Sequence, residues 1–153
     1  MDLERYEFET KNLLVYEFYS EGPNGRIKKV VKFNRIFLNG INYFNLGFGD
    51  WDESKKKIND FIVSDNCDKN KILATIASII VHFTNNFSEV VVNATGSTLS
   101  RTRLYQISIV RHLDLIQPYL DIYGYIDGRW EAFRKNTNYE AFMAIKTNRK
   151  FII

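Results

Sequence analysis

Along the first half of the chain, apolar and polar side chains alternate with the period of two expected of a half-buried strand. Tyr6 and Phe8 fall on one side of a short segment with Glu7 and Glu9 on the other, and Tyr16 and Phe18 repeat the pattern around Glu17. In the stretch Ser20-Glu21-Gly22-Pro23-Asn24-Gly25, the Asn-Gly pair accepts positive φ and predicts a hairpin turn into a strand over 26–33. There Ile27, Val31 and Phe33 share one side, while Arg26, Lys28, Val30 and Lys32 share the other. The alternation thus predicts one core face and one wet, basic face. A second pair, Asn39-Gly40, predicts a second hairpin between strands at 35–38 and 41–48. Lys55-Lys56-Lys57 reads as a solvated turn before a short apolar strand at 58–64.

From Asp68 onward the period changes. Ile72, Ile76, Ile80, Phe83 and Phe87 recur at helical spacing, and Leu73, Ala77 and Val81 widen the stripe, so a helix over 68–87 is expected to be buried on more than one side. Asp65, Asn66 or Asp68 can cap it by accepting from its free N–H groups. Three consecutive valines at 90–92 predict a strand over 89–93 that is covered on both faces and central in its sheet. After the loop Ala94-Thr95-Gly96-Ser97-Thr98 comes a second helix over 101–116, with a stripe of Leu104, Ile107, Val110 or His112, and Leu113; Pro118 ends it. A last hairpin is expected at 121–126 and 129–133 around Asp127-Gly128. The segment 139–145 and the apolar tail 151–153 fit more than one element. These elements predict an α+β fold: one domain over 1–153, with a mostly antiparallel twisted sheet of about seven strands and two main helices.

Composition narrows the function. With 45% hydrophobic residues, 2 Pro and 8 Gly in 153 positions, the chain is neither disordered nor collagen-like. One cysteine, Cys67, excludes an internal disulfide, and with only His82 and His112 besides, no metal centre is expected. No cofactor is called for either. The charged N-terminus lacks the apolar stretch of a signal peptide, and the run Ile76-Ala77-Ser78-Ile79-Ile80-Val81 is far short of the roughly 20 residues that cross a bilayer. A cytoplasmic protein with no membrane contact is therefore expected. The formal charge is +3, and its unevenness is mild: residues 1–66 carry 10 basic and 11 acidic groups, residues 67–153 carry 11 and 7.

The most informative stretch is 94–106. A buried strand, a glycine-containing loop and a helix start suit an anion, because free N–H groups and the positive end of the helix dipole face the loop. Thr95, Gly96, Ser97 and Thr98 supply backbone and hydroxyl donors, and Ser100 adds another. Arg101 and Arg103 stand in the first turn, where the dipole disfavours cations, so a negative partner is expected: a bound phosphate or a protein carboxylate such as Asp127 or Glu131. Arg26, Lys28 and Lys32 form a candidate nucleic-acid face. Asp50, Asp52 and Glu53 cluster around Trp51 as a candidate acid/base pair or weak cation site, with a solvated turn as the plainer reading. His82 reads as a satisfied core histidine, His112 as a weaker functional candidate, and Cys67 as a thiol opposed by Asp65 and Asp68.

Two resemblances follow from these residues. Leu3-Glu4-Arg5-Tyr6, the segment from Glu17 to Val31, Ala94-Thr95-Gly96-Ser97-Thr98 with Arg101-Thr102-Arg103-Leu104-Tyr105, and Asn138-Tyr139-Glu140-Ala141-Phe142 resemble a family of short, uncharacterised bacterial proteins, chiefly from Bacteroidota, over nearly the whole chain. More loosely, the order of elements is similar to the second half of the GCN5-related N-acetyltransferases. That resemblance implies acyl-coenzyme A as substrate and Tyr105 as the group protonating the departing thiolate. The loop at the pyrophosphate position, 65–71, departs from the family in having no glycine. Three functional classes result: a binding or regulatory protein for a phosphate-bearing small molecule or nucleic acid, as in a toxin–antitoxin pair; an acetyltransferase-like enzyme using Tyr105; and a structural module that meets a protein partner or a second copy through the tail 151–153.

Overall fold

The computed structural model describes residues 4–38, 40–59, 65–87, 89–96 and 98–147. In chain order these form β1 (Glu9–Thr10), β2 (Val15–Gly22), β3 (Gly25–Leu38), β4 (Ile41–Asp52), β5 (Lys57–Asn59), α1 (Lys69–Asn86), β6 (Val91–Ala94), α2 (Leu99–Ile116), β7 (Leu120–Ile126), β8 (Arg129–Ala132) and β9 (Ala141–Lys146). The strands make a single nine-stranded sheet in the order β1-β2-β3-β4-β6-β9-β7-β8, with β5 added to the far end of β4. Every described pairing is antiparallel except that of β4 with β6. The α+β class is as expected, and β6 is central, between β4 and β9.

Several local expectations are corrected. The two strands read at 26–33 and 35–38 are one, and β4 runs on past Phe48 to Asp52. The polar residues Asn34 and Asn45 stay in the ladder as direct partners, held by the apolar register on either side. Tyr6 and Phe8 lie outside any strand; the segment instead packs on α1, with the Tyr6 N–H donating to Thr75 Oγ1 at 2.9 Å. Val30, placed on the wet face, is 3% exposed. Asp68 occupies the N-cap of α1 but makes no side-chain capping bond; its carboxylate accepts from Ser20 Oγ at 2.5 Å and Tyr6 OH at 2.6 Å instead. Asp65 accepts from the Cys67 N–H ahead of the helix, and Asn66 holds the β2–β3 turn through Asn24 and Gly25. On α2 the expected stripe is rotated: Ile107 is 52% exposed, and the buried positions are Thr102, Gln106, Ser108, Leu113 and Ile116. The Asn39 half of the second turn, the strand reading beyond Asn59 and the tail 151–153 lie outside the described residues.

The core lies on one face of the sheet, where register carries Phe44 to Val92 and Val92 to Ala144. α1 covers its β2–β4 half. There the Phe83 ring stacks on Phe33, centroids 3.9 Å apart and 2° from parallel, and meets Phe44 edge-on. α2 lies over β6, β9 and β7, sharing Ile109 and Ile116 with Val92, Phe142 and Ala144 around a narrow space.

Candidate functional site

At the end of the core face nearest the β2–β3 turn, α1, α2 and the sheet diverge to leave a cleft of about 290 Å³. Its back wall comes from the β3–β4 hairpin. Register sets Lys29 directly opposite Asp50, and Lys29 Nζ donates to Asp50 Oδ1 in an ion pair whose side chains are 5% and 12% exposed. Phe48 and Leu73 make an apolar floor. One rim is Asp65, Asn66, Asp68 and Lys69, running into α1; the other is Arg101, Leu104 and Tyr105 of α2. Gly22 makes the first rim possible, since a Cβ there would collide with the Asn66 backbone. Thus the first turns of both helices open onto one cleft, and their dipoles favour negative charge within it.

The loop 94–98 packs closely on the start of α2. A side chain at Gly96 would strike the Thr102 backbone and Arg101, so this glycine serves close packing of the loop on α2. Its N–H donates to Thr102 Oγ1 at 3.1 Å, and Thr98 caps the helix by accepting from the Arg101 N–H at 3.2 Å. Thr95 donates to Asn93 Oδ1. Ser97 lies outside the described residues. Arg101 and Arg103, two positions apart on a helix, diverge: Arg101 lines the cleft and donates to the Phe48 carbonyl at 3.3 Å, whereas Arg103 donates to Gln106 Oε1 on a separate outer groove shared with Arg111.

Other candidates are brought elsewhere. On the outer face of β3, Arg26 stacks over Tyr19 at 3.9 Å beside Glu21, and Lys28 pairs with Glu17 at 3.2 Å, so two of the three cations there are balanced by β2; Lys32 is exposed. Asp50 is paired with Lys29. Asp52 instead accepts from the Ser54 hydroxyl and from the Ser54 and Lys55 N–H groups, which hold its carboxyl below the usual range. Glu53 is lowered likewise by Lys56 and the Trp51 indole N–H. Among the described residues no group of three His, Cys, Asp or Glu side chains is placed to hold a metal. Glu131 pairs with Arg134 at 2.7 Å and accepts from Tyr139 OH at 2.8 Å. Tyr16 OH and His82 Nδ1 bond at 2.8 Å, and burial pushes the Tyr16 hydroxyl up to about 12. No helix among the described residues is long and apolar enough to cross a membrane.

His112 carries a testable signature. Burial first, then the neighbouring Arg111 charge, hold its pKa below the ordinary 6.5, and its Nε2 is buried without a hydrogen-bond partner. The unfolded chain therefore takes up a proton near pH 6.5 that the folded protein accepts only at lower pH, so stability falls as pH drops through that window. His112→Gln is expected to reduce the difference in urea midpoint between pH 7.5 and pH 5. An undiminished difference would assign the acid sensitivity to other groups.

Arg101 and Tyr105 were visible in the sequence as chemistry after a central strand; Lys29 was not singled out, nor Lys69. The missed signal was a lysine in the apolar register of Ile27, Val31 and Phe33. Taken together, fold and cleft define an α+β protein with two helices on one face of a mixed nine-stranded sheet and a ligand-sized opening where both helices begin. Over residues 2–147 the chain matches, and belongs to, the family of unknown function DUF6934, in agreement with the expected uncharacterised family. No curated protein and no solved structure matches it.

Proposed function

We propose that the protein binds a small organic anion, phosphate-bearing ligands included, in the cleft between 65–73 and 101–105, with Arg101 as its anchor. The observation that carries this reading is the convergence of two helix N-termini and the cations Arg101 and Lys69 on one cleft. Lys29, already neutralised by Asp50, adds polarity to the wall without demanding a counter-ion. Asp68 already accepts from the Ser20 and Tyr6 hydroxyls. The paired state of Arg26 and Lys28 favours a small ligand over a nucleic-acid backbone on the outer sheet face.

Thermal-shift measurements with phosphate, nucleoside monophosphates and coenzyme A test this. A ligand at 100 times its dissociation constant stabilises by about 2.7 kcal/mol, worth roughly 5–10 °C for a domain of this size. Arg101→Gln is expected to weaken binding by about 10- to 100-fold, because a bond to a charged group contributes roughly 1.5–3 kcal/mol. Arg103→Gln, directed into the other groove, is expected to bind as the parent does. Equal loss in both variants, or no shift with any of the three ligand types, would overturn the reading.

A further inference from the structure

Behind the cleft lies a second space, of about 80 Å³, between α2, α1 and the core face of the sheet. Its walls are apolar: Leu46, Ile76, Ile80, Val92, Ile109 and Phe142 are representative, and only Tyr105 and Ser108 among the lining residues bring a hydroxyl. Leu73 and Tyr105 belong to the linings of both the cleft and this cavity, so two side chains stand between them.

The packing of α2 points the same way. Its buried positions are largely polar, namely Thr102, Gln106 and Ser108, whereas the apolar Leu104, Tyr105 and Ile109 are only half-buried because they face the cleft and the cavity. Gln106 accounts for part of this arrangement: it accepts from the Tyr139 N–H at 3.0 Å and donates to the Thr137 carbonyl, fastening α2 to the segment before β9 through hydrogen bonds. With an apolar lining broken only by two hydroxyls, the cavity is a poor site for water, so its filling by an apolar group is favourable.

We infer that the ligand is an amphiphile, with its anionic head at Arg101 and an unbranched aliphatic tail passing between Leu73 and Tyr105 into the cavity under α2. This rests on the anion-binding reading of the cleft and adds the chemical class of the ligand. A methylene chain suits the passage because it is slim and flexible, and each methylene transferred from water improves affinity about fourfold.

The test compares methyl, butyl and octyl phosphate, and acetate, hexanoate and octanoate, by calorimetry below the micellar concentration. Affinity is expected to rise with chain length by about fourfold per methylene over the first few carbons and then level off as the cavity fills. The two series identify whether phosphate or carboxylate is the preferred head. Ala77→Leu and Ile109→Phe, which reduce the cavity from opposite helices, are expected to abolish the chain-length gain while methyl phosphate still binds. If methyl and octyl phosphate bind alike in the unaltered protein, the tail site is overturned and the cleft reading stands. A chain-length gain that survives undiminished in a folded cavity-filled variant puts the tail elsewhere and likewise overturns it. If no member of either series binds, both readings fail. The series in the unaltered protein needs no substitution, so a variant that fails to fold leaves that result intact.

Discussion

Phe83→Ala is expected to lower the unfolding free energy by about 3–5 kcal/mol, the range for truncating a fully buried aromatic ring. The ring is 0% exposed and contacts three others: Phe33 on β3 at 3.9 Å, Phe44 on β4 at 5.1 Å and Phe87 at 5.1 Å. It therefore ties α1 to two adjacent strands, and its loss leaves a cavity that none of these rings can fill without leaving its own site. Against a total stability of about 5–15 kcal/mol for an ordinary domain, this is enough to put the folded state at risk. Leu99→Ala provides the contrast, since Leu99 is 80% exposed and a change there is expected to stay within about 0.5 kcal/mol. Urea unfolding at fixed pH measures both. A cost below about 1.5 kcal/mol for Phe83→Ala would mean that α1 is held mainly by other contacts.

Much of this core was legible from periodicity alone. Phe83 lies in the stripe of Ile72, Ile76 and Ile80, and Phe33 in the register of Ile27 and Val31, because burial on one face imposes the period of the element on the sequence. α2 was less legible. Its inner face is only partly buried, and Thr102, Gln106 and Ser108 are buried through hydrogen bonds and close packing, so the apolar stripe of Leu104, Ile107 and Leu113 marks the buried face only in part. Within 95–103 the sequence places two kinds of residue side by side. Gly96, Thr98 and Thr102 satisfy one another locally, and sequence adjacency cannot tell a loop that caps its own helix from one that receives a ligand. Nor can it show that Arg101 and Arg103 serve different grooves, although helical geometry alone separates positions two apart. The back wall was in principle readable. The register that pairs Leu38 with Ile41 pairs, continued along the hairpin, Lys29 with Asp50; ending the strands at Phe33 and Phe48 conceals it.

That pair carries the second large effect. Lys29→Met is expected to destabilise the protein by about 3–5 kcal/mol, because it breaks a buried ion pair by removing one member, and Asp50→Leu is expected to do the same from the other side. The double variant Lys29→Met/Asp50→Leu is expected to recover most of this and to lie within about 1–2 kcal/mol of the parent, since two apolar side chains need no desolvation of charge. Four unfolding curves, the parent's included, therefore close a cycle whose coupling term should be large, as the two residues are direct cross-strand partners on the buried face. Simple addition of the two single costs in the double variant would mean that the pair is solvated and that each residue is held by other contacts. The cycle also separates stability from binding. Lys29 and Asp50 form the back of the cleft while Arg101 stands on its rim, so a double variant that folds and still binds phosphate through Arg101 would assign the pair to the wall. Loss of binding at restored stability would bring its charges into contact with the ligand.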